Sequence, residues 1–339
     1  MNQPALSPIL AAGFLMMSLL TAASGCSRPR SIPPESVFSH ETEYTVEHAA
    51  FSESGKQLLV VAPSKLYVFK VEDGELLCEV PLENFDYSNN FFEWASFSPD
   101  NKQIFASYSG SSSIQIYDIA TGKKAGSFGP FDQNPLRCEP AKILGKVLVR
   151  ENYRRWQLYD LNHKKPDWHL QFGSQVMSRS HAYAHPVLAG MEGHEKVIFA
   201  NVDKGEKLQQ SFEVKECVRG IDISKDRKWV VTGDESGTAT VYDLEKDKVI
   251  WTSYVDRDGA FAVSIRPDND LVAVGCMSGI KILSIKQQKI IAGWNGHEWF
   301  VDSLEFSPDG KYLLSASPDK FTKIWKTSEC LSGNSYETQ

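Results

Sequence analysis

One group of polar side chains near the C-terminus has the residue types of a Ser-His-Asp catalytic triad. The group is His297, Ser315 and Asp319, within GHEWFVDSLEFSPDGKYLLSASPDKFTKIWK at 296–326. In a triad the histidine takes the proton of the serine hydroxyl, and the aspartate orients the imidazole ring. Whether these three residues do that chemistry depends on the elements that hold them.

Three histidines in HAYAHPVLAGMEGH could be metal ligands, namely His181, His185 and His194. No cysteine or carboxylate stands at a diagnostic spacing from them, and Pro186 favours a loop over a regular strand. We therefore predict no metal and no other cofactor. HExxH, GxSxG, Walker and dinucleotide motifs are also missing, so no enzyme is predicted. An enzyme built from scattered loop residues would leave no such motif and stays an alternative.

The composition predicts a globular protein that does not bind nucleic acid. The chain has 339 residues, of which 42% are hydrophobic and 11% aromatic, which is ample for a core. Its net charge is −7 and its pI about 5.7. It therefore lacks the broad basic surface that neutralising phosphate groups requires.

The N-terminus has the pattern of an export signal. Residues 1–25 carry no charged side chain, and 9–23, ILAAGFLMMSLLTAA, form an apolar run as long as a signal-peptide core. The run is short for a membrane span. An ordinary secretory signal and an uncleaved anchor are alternatives, and both also predict export. The segment 26–35 is Pro-rich without periodicity and is interpreted as a tether.

The sequence ASGC, which ends at Cys26, resembles the lipobox of bacterial lipoproteins. The resemblance implies cleavage before Cys26, lipidation of its thiol with fatty acids such as palmitate, and a lipoprotein of the bacterial cell envelope, either periplasmic or at the outer membrane. The match departs from the family in two respects: the segment before the apolar run has no Lys or Arg, and Ala23 stands where Leu is usual. The remaining cysteines, at 78, 138, 217, 276 and 330, show no metal spacing. A disulfide among them is left open.

An apolar residue followed by a polar turn recurs along the chain. The copies begin at Phe51, Phe97, Cys138, Ile223, Ile265 and Phe306, with gaps of 46, 41, 85, 42 and 41 residues. The long gap is about twice the others, which predicts a degenerate copy near residue 181 and seven units in all. Periods of about 40 to 45 residues are typical of propellers.

Each unit has the same order of predicted strands. A first strand ends in a Ser-Pro-Asp-Gly type turn. An almost wholly apolar second strand follows, which indicates a sheet covered on both faces. Third strands end in an aromatic residue and a polar one, and six fourth strands are evident. The second strands are QLLVVA, QIFASY, KVLVRE, PVLAGM, WVVTGD, LVAVGC and YLLSAS.

These units resemble the WD-repeat family of β-propellers over about residues 36–328. The resemblance implies an all-β, seven-bladed propeller of four-stranded antiparallel sheets. The last unit lacks a fourth strand, and SVFSH at 36–40 precedes the first unit. In this family an N-terminal strand closes the ring, so SVFSH is predicted to complete the last blade. Residues 329–339 are predicted to form a polar tail.

The resemblance also gives the triad-like residues a structural role. In this family the loop histidine, strand serine, turn aspartate and strand tryptophan form a buried hydrogen-bond network. Matched one by one, they are His297, Ser315, Asp319 and Trp325. A structural role is therefore favoured over catalysis.

The loops that lead into the first strands line one face around the central channel in this family. Here those loops are aromatic and acidic, which is typical of protein interfaces. Packing of the aromatic residues between blades is the alternative. The candidate interaction face consists of Tyr44, Phe91, Phe92, Asp132, Glu216, Asp258, Trp299 and Phe300.

The sequence thus predicts a monomeric, non-catalytic scaffold for other proteins, exported and held to a membrane by lipid. An envelope enzyme or small-ligand binder that uses the channel mouth is one alternative. An assembly factor for membrane proteins is another.

Overall fold

A computed structural model describes residues 34–132, 135–140, 146–151, 155–160, 166–171, 182–277 and 279–332. The predicted signal peptide, Cys26 and most of the tether lie outside these residues. The regular secondary structure of the described residues is β-strand, apart from one short helix near their end.

The strands form seven sheets of four, which we number as blades 1 to 7. Blade 1 comprises β2 (His48–Phe51), β3 (Gln57–Ala62), β4 (Lys65–Lys70) and β5 (Leu76–Pro81). Blade 2 comprises β6 (Phe92–Phe97), β7 (Gln103–Tyr108), β8 (Ile114–Asp118) and β9 (Lys124–Phe128). Blade 3 comprises β10 (Pro135–Pro140), β11 (Lys146–Glu151), β12 (Arg155–Asp160) and β13 (Pro166–Gln171). Blade 4 comprises β14 (Ala182–Ala184), β15 (Val187–Glu192), β16 (Lys196–Asn201) and β17 (Glu206–Glu213).

The remaining blades complete the ring. Blade 5 comprises β18 (Val218–Ile223), β19 (Trp229–Asp234), β20 (Thr238–Asp243) and β21 (Lys248–Tyr254). Blade 6 comprises β22 (Ala262–Ile265), β23 (Leu271–Gly275), β24 (Ile280–Ser284) and β25 (Lys289–Trp294). Blade 7 comprises β26 (Ser303–Phe306), β27 (Tyr312–Ala316), β28 (Phe321–Lys326) and, from the N-terminus, β1 (Ser36–Glu41). Neighbouring strands pair antiparallel throughout, so the predicted seven-bladed propeller is confirmed.

The hydrophobic core is divided among the boundaries between blades. The described residues contain seven buried clusters, and each cluster joins two consecutive blades. One of them joins the last blade to the first, through Leu314 and Ile324 packed with Val60 and Tyr67. Because each sheet is covered on both faces by its neighbours, a continuous apolar second strand is stable here.

Hydrogen bonds between first strands also join neighbouring blades. A side chain one residue before the end of a first strand accepts a backbone N–H from the next blade. Asp222 accepts from Ile265 at 2.7 Å, and Glu305 accepts from Phe51 at 2.8 Å. The first strands approach closely, since a Cβ on Gly220 would lie 2.8 Å from the Cα of Ala262. Small residues at the centre of the ring are therefore required sterically.

The turns between first and second strands explain the repeated Ser-Pro-Asp-Gly motif. In blade 7 the Ser307 hydroxyl donates to Asp309 at 2.7 Å and accepts the N–H of Tyr312 at 3.0 Å. In blade 5, Ser224 makes the matching bonds to Asp226 and Trp229 at 2.7 and 2.9 Å. The serine and aspartate thus satisfy backbone groups within the turn.

The N-terminal strand closes the ring as predicted. β1 pairs with β28 from Ser36 opposite Trp325 to Glu41 opposite Phe321. Phe38 lies 5.1 Å, between ring centroids, from Phe69 of blade 1. The strand therefore covers the outer edge of blade 7 and also contacts blade 1.

A short helix follows the last strand and differs from the expected polar tail. The helix α1 (Thr327–Ser332) packs against β25 and β28. Its Cys330 is buried in the cluster between blades 6 and 7. The packed part of the chain therefore continues past residue 328. The cysteines at 78, 138, 217, 276 and 330 are free thiols, and no helix among the described residues is long and apolar enough to cross a bilayer.

We name the two faces of the ring by their loops. The upper face carries the loops that lead into first strands and those that join second to third strands. The lower face carries the loops that join first to second and third to fourth strands. β1 runs from the lower face to the upper face, because it is antiparallel to β28.

Candidate functional site

The four residues of the predicted network are joined by hydrogen bonds. Nδ1 of His297 lies 2.9 Å from a carboxylate oxygen of Asp319, and Nε2 lies 2.8 Å from Oγ of Ser315. The indole N–H of Trp325 donates to the same Oγ at 2.8 Å. The network therefore links the two upper loops of blade 7 to its strands β27 and β28.

The surroundings of these groups suit a structural role better than catalysis. Ser315 has no exposed surface, and its Oγ already bonds both His297 and Trp325. Burial alone would raise the pKa of the Asp319 carboxyl, but hydrogen bonds from His297 and from the N–H groups of Phe321 and Glu298 outweigh it and lower the pKa. Asp319 is thus held as a carboxylate that accepts these bonds.

Aromatic side chains form a partly exposed cluster on the upper face beside blades 1 and 2. Tyr44 lies 5.0 Å from Phe85 and 5.9 Å from Tyr87, between ring centroids. Tyr87 stacks on Phe91 at 6.0 Å and is 36% exposed. We call these four residues the aromatic cluster. It brings together Tyr44 and Phe91, both of which belong to the candidate interaction face.

The loop into blade 7 presents a second exposed aromatic residue. Trp299 is 49% exposed. Its neighbour Phe300 is half-buried and packs on Phe261 of the loop into blade 6 at 5.1 Å. Blade 7 is the neighbour of blade 1 in the ring, so Trp299 and the aromatic cluster belong to three consecutive blades.

Phe92 was wrongly included in the candidate interaction face. Its side chain has no exposed surface and packs in the core between blades 1 and 2. It is the first residue of β6, where the chain has already turned inward, and it lies edge-on to Tyr117 at 6.4 Å. Phe131, before Asp132, is also buried, in the core between blades 2 and 3. Packing in the core between blades therefore explains why both positions, Phe92 and Phe131, are aromatic.

The acidic residues of the candidate interaction face are exposed. Asp132, Glu216 and Asp258 lie on upper loops of blades 3, 5 and 6. Asp258 pairs with the neighbouring Arg257, whose Nε lies 3.1 Å from the carboxylate. These carboxylates therefore contribute charge to the upper face without being buried in the fold.

Charged groups on the first strands near the channel were not foreseen from the sequence. Glu93 is partly buried, and this desolvation, together with the charge of Glu47, raises its pKa to about 7 despite the opposing effect of Arg150. The Trp94 ring stacks on His48 at 3.5 Å, and Cζ of Arg137 lies 3.8 Å from the ring centroid. The strand FEWASF holds Glu93 and Trp94, but its pattern alone does not show which side chain faces the axis.

The structure does not bring the histidines together. His185 lies on the lower face, where its Nε2 is 2.7 Å from Asp203, and His194 lies at the opposite end of β15. His181 lies outside the described residues. Within the part of the chain that the structure describes, no three His, Cys, Asp or Glu side chains are grouped as metal ligands.

Comparison with known proteins identifies repeats in this chain. Residues 206–243 and 288–326 match the model of the WD40 family, described as WD domain, G-beta repeat. Each matched segment starts at the fourth strand of one blade and includes the first three strands of the next. The sequence repeat is therefore offset by one strand from the structural blade.

Several curated proteins are similar over parts of the chain. A target of rapamycin complex subunit LST8 of Rattus norvegicus is 22% identical over 212 residues, which is 58% of this chain and 63% of that protein. WD repeat-containing protein 55 of Arabidopsis thaliana is 28% identical over 131 residues, 38% of this chain and 37% of its own length. WD repeat-containing protein 1 of Bos taurus is 31% identical over 144 residues, 40% of this chain and 23% of its own length. The chain thus spans less than two thirds of each of these relatives. Together with the seven blades, the matches support the resemblance to the WD-repeat family that the sequence indicated.

Proposed function

We propose that this protein is a non-catalytic scaffold that binds other proteins through its upper face. The observation that carries this proposal is the exposed aromatic surface of three consecutive blades, formed by the aromatic cluster and Trp299. Exposed aromatic residues ringed by polar groups are typical of interface hot spots. One relative, the rat LST8 protein, is named as a subunit of a complex.

The positions of the triad-like residues support a structural role for them. The triad-like residues bond one another in the interior of blade 7, and the serine oxygen has no exposed surface. A scaffold needs a rigid surface instead of a reactive group, and a buried, satisfied polar network supplies rigidity.

Capture of partners by the tagged mature protein tests this proposal. We expect Phe91→Ala with Trp299→Ala to remove specifically bound proteins, because truncating central aromatic side chains abolishes hot spots. Tyr254→Ala, which changes a 62% exposed residue of the outer strand β21, is the matched control and should change nothing. If all partners remained bound to the double variant, the upper face would not be the interaction surface.

We further propose that the protein is exported and held to the envelope membrane by lipid on Cys26. The apolar run and ASGC motif support this. Within the propeller, β1 begins at the lower face, on the opposite side from the aromatic cluster. Cells supplied with radiolabelled palmitate should label the protein, and Cys26→Ser should abolish the label. Equal labelling of both forms would contradict the anchor.

A further inference from the structure

Charge is distributed unequally between the two faces of the propeller. Among the described residues, the upper loops carry thirteen Asp or Glu residues and only three Lys or Arg. The described lower loops carry twelve acidic and eleven basic residues. Among the described loops, the net negative charge is therefore concentrated on the face that also carries the exposed aromatic residues.

Acidic residues are the chain neighbours of the aromatic residues on these upper loops. Glu43 precedes Tyr44, Asp86 precedes Tyr87, and Glu298 precedes Trp299. Glu43, Asp86 and Glu298 are all exposed, as is Glu83 two residues before Phe85. This combination recurs on the loops into blades 1, 2 and 7, which are consecutive around the ring.

An aromatic face beside a carboxylate suits a cationic side chain better than a neutral or acidic one. The ring attracts a cation through its quadrupole, and the carboxylate adds a charge-assisted hydrogen bond. Arginine uses both at once, because its planar guanidinium stacks on a ring and donates bonds in that plane. A concentrated negative potential also attracts basic partners and repels acidic ones during encounter.

We propose that the upper face, between blades 7 and 2, binds a protein segment rich in arginine or lysine. This inference rests on the proposed scaffold function and specifies its partner: cationic side chains lie on the aromatic cluster and Trp299, with Glu43, Glu83 and Glu298 as their counter-charges. The lower face, with nearly balanced charge, does not take part.

Fluorescence anisotropy with a defined probe tests this partner chemistry. The probe is a short fluorescein-labelled peptide in which arginine alternates with glycine, and its control has glutamate in place of arginine. The arginine peptide should bind the mature protein, and its affinity should fall as salt is added. The glutamate peptide should not bind. Equal binding of the two peptides would overturn the proposal.

Matched charge variants locate the site. The affinity for the arginine peptide should fall about tenfold in the triple variant Glu43→Gln, Glu83→Gln and Glu298→Gln. Each exposed charge pair contributes a fraction of a tenfold change in affinity. Glu72→Gln, Glu75→Gln and Glu245→Gln make the same change of charge on lower loops and should leave binding as it is. Equal losses in both triple variants would show a non-local charge effect and contradict the site.

Replacing a ring tests the aromatic half of the proposal. Trp299→Leu keeps an apolar side chain but removes the π-face, so binding should weaken several-fold with the thermal midpoint unchanged. Unchanged affinity would exclude Trp299 from the site. If the peptide tests failed while Phe91→Ala with Trp299→Ala still removed partners, the scaffold function would stand and only the basic nature of the partner would be wrong.

Discussion

Asp319 stabilises blade 7 because one carboxylate serves several donors. It accepts from Nδ1 of His297, from the N–H of Glu298 at 2.9 Å and from the N–H of Phe321 at 3.0 Å. Replacing it with alanine leaves these donors without an acceptor in a buried place. We expect Asp319→Ala to lower the free energy of unfolding by about 1–3 kcal/mol, measured by urea denaturation.

The exposed Asp258 provides the control for Asp319. Asp258→Ala removes an aspartate from the same face whose side chain pairs only at the surface with Arg257, so its effect on stability should be small. The Asp319 carboxyl has a lowered pKa in the folded state, so its contribution is present at neutral pH and is lost as the pH falls through that value. Equal stability of the two variants at neutral pH would contradict the structural role of the network.

Glu93 should make the stability of the fold depend on pH in the opposite direction from Asp319. Burial, and then the charge of Glu47, raise its pKa from 4.5 to about 7. A carboxyl whose pKa is higher in the folded than in the unfolded protein lowers the stability of the fold as the pH rises from the unfolded-state pKa to the folded-state pKa. Glu93→Gln should therefore be more stable than the parent at pH 8, by up to about 3 kcal/mol.

The comparison of Glu93→Gln with the parent at two pH values separates charge from packing. Near pH 4.5 the partly buried carboxyl is protonated in the folded protein, so variant and parent should unfold at similar urea concentrations. A difference of the same size at both pH values would show that packing, and not the partly buried charge, sets the effect.

The adjacent residues Phe91 and Phe92 differ in burial, and the sequence alone does not predict which of the two is exposed. Phe91 stacks on Tyr87 at the surface, whereas Phe92 is buried among blades 1 and 2. Successive side chains of a strand point to opposite sides, so a shift of one residue exchanges them. The sequence predicts the aromatic loop but not which ring is exposed. Phe85 and Tyr87 were missed because they lie earlier in the long loop 82–91, away from the strand.

At the scale of the secondary-structure elements, the recurring turns allow the positions of most strands to be predicted from the sequence. The Ser-Pro-Asp-Gly turns end first strands in predictable places, because their side chains satisfy the turn's own backbone. The counting of strands also placed β1 on blade 7 correctly. The helix α1 was missed because TSECLS is short and polar, and a helix of this length depends on tertiary contacts such as the packing of Cys330 onto blades 6 and 7.

Deletion of residues 36–40 tests closure by β1. The deletion exposes the edge of β28 and removes Phe38 from its contact with Phe69. We expect the free energy of unfolding to fall by at least about 3 kcal/mol, as for loss of a large core side chain. Val37→Ser, at a residue 47% exposed on the same strand, should change little. Unchanged thermal stability of the deleted protein would show that β1 is not needed for closure.

At the scale of the whole molecule, the repeat period determines the architecture. Seven units that each leave both sheet faces apolar can be buried only by their neighbours, and the seven inter-blade clusters among the described residues show that arrangement. The distribution of charge between the faces could not be predicted in the same way. It becomes visible only when loops distant in sequence are assigned to one face.

Site-specific photo-crosslinking in cells tests most directly whether the upper face is the interaction surface. A benzophenone amino acid replaces Tyr87 or Trp299 on the upper face, or Glu245 or Lys286 on lower loops. We expect discrete crosslinked protein adducts from Tyr87 and Trp299 and none from Glu245 and Lys286. Adducts that form only from the two lower-face positions would contradict an interaction surface on the upper face.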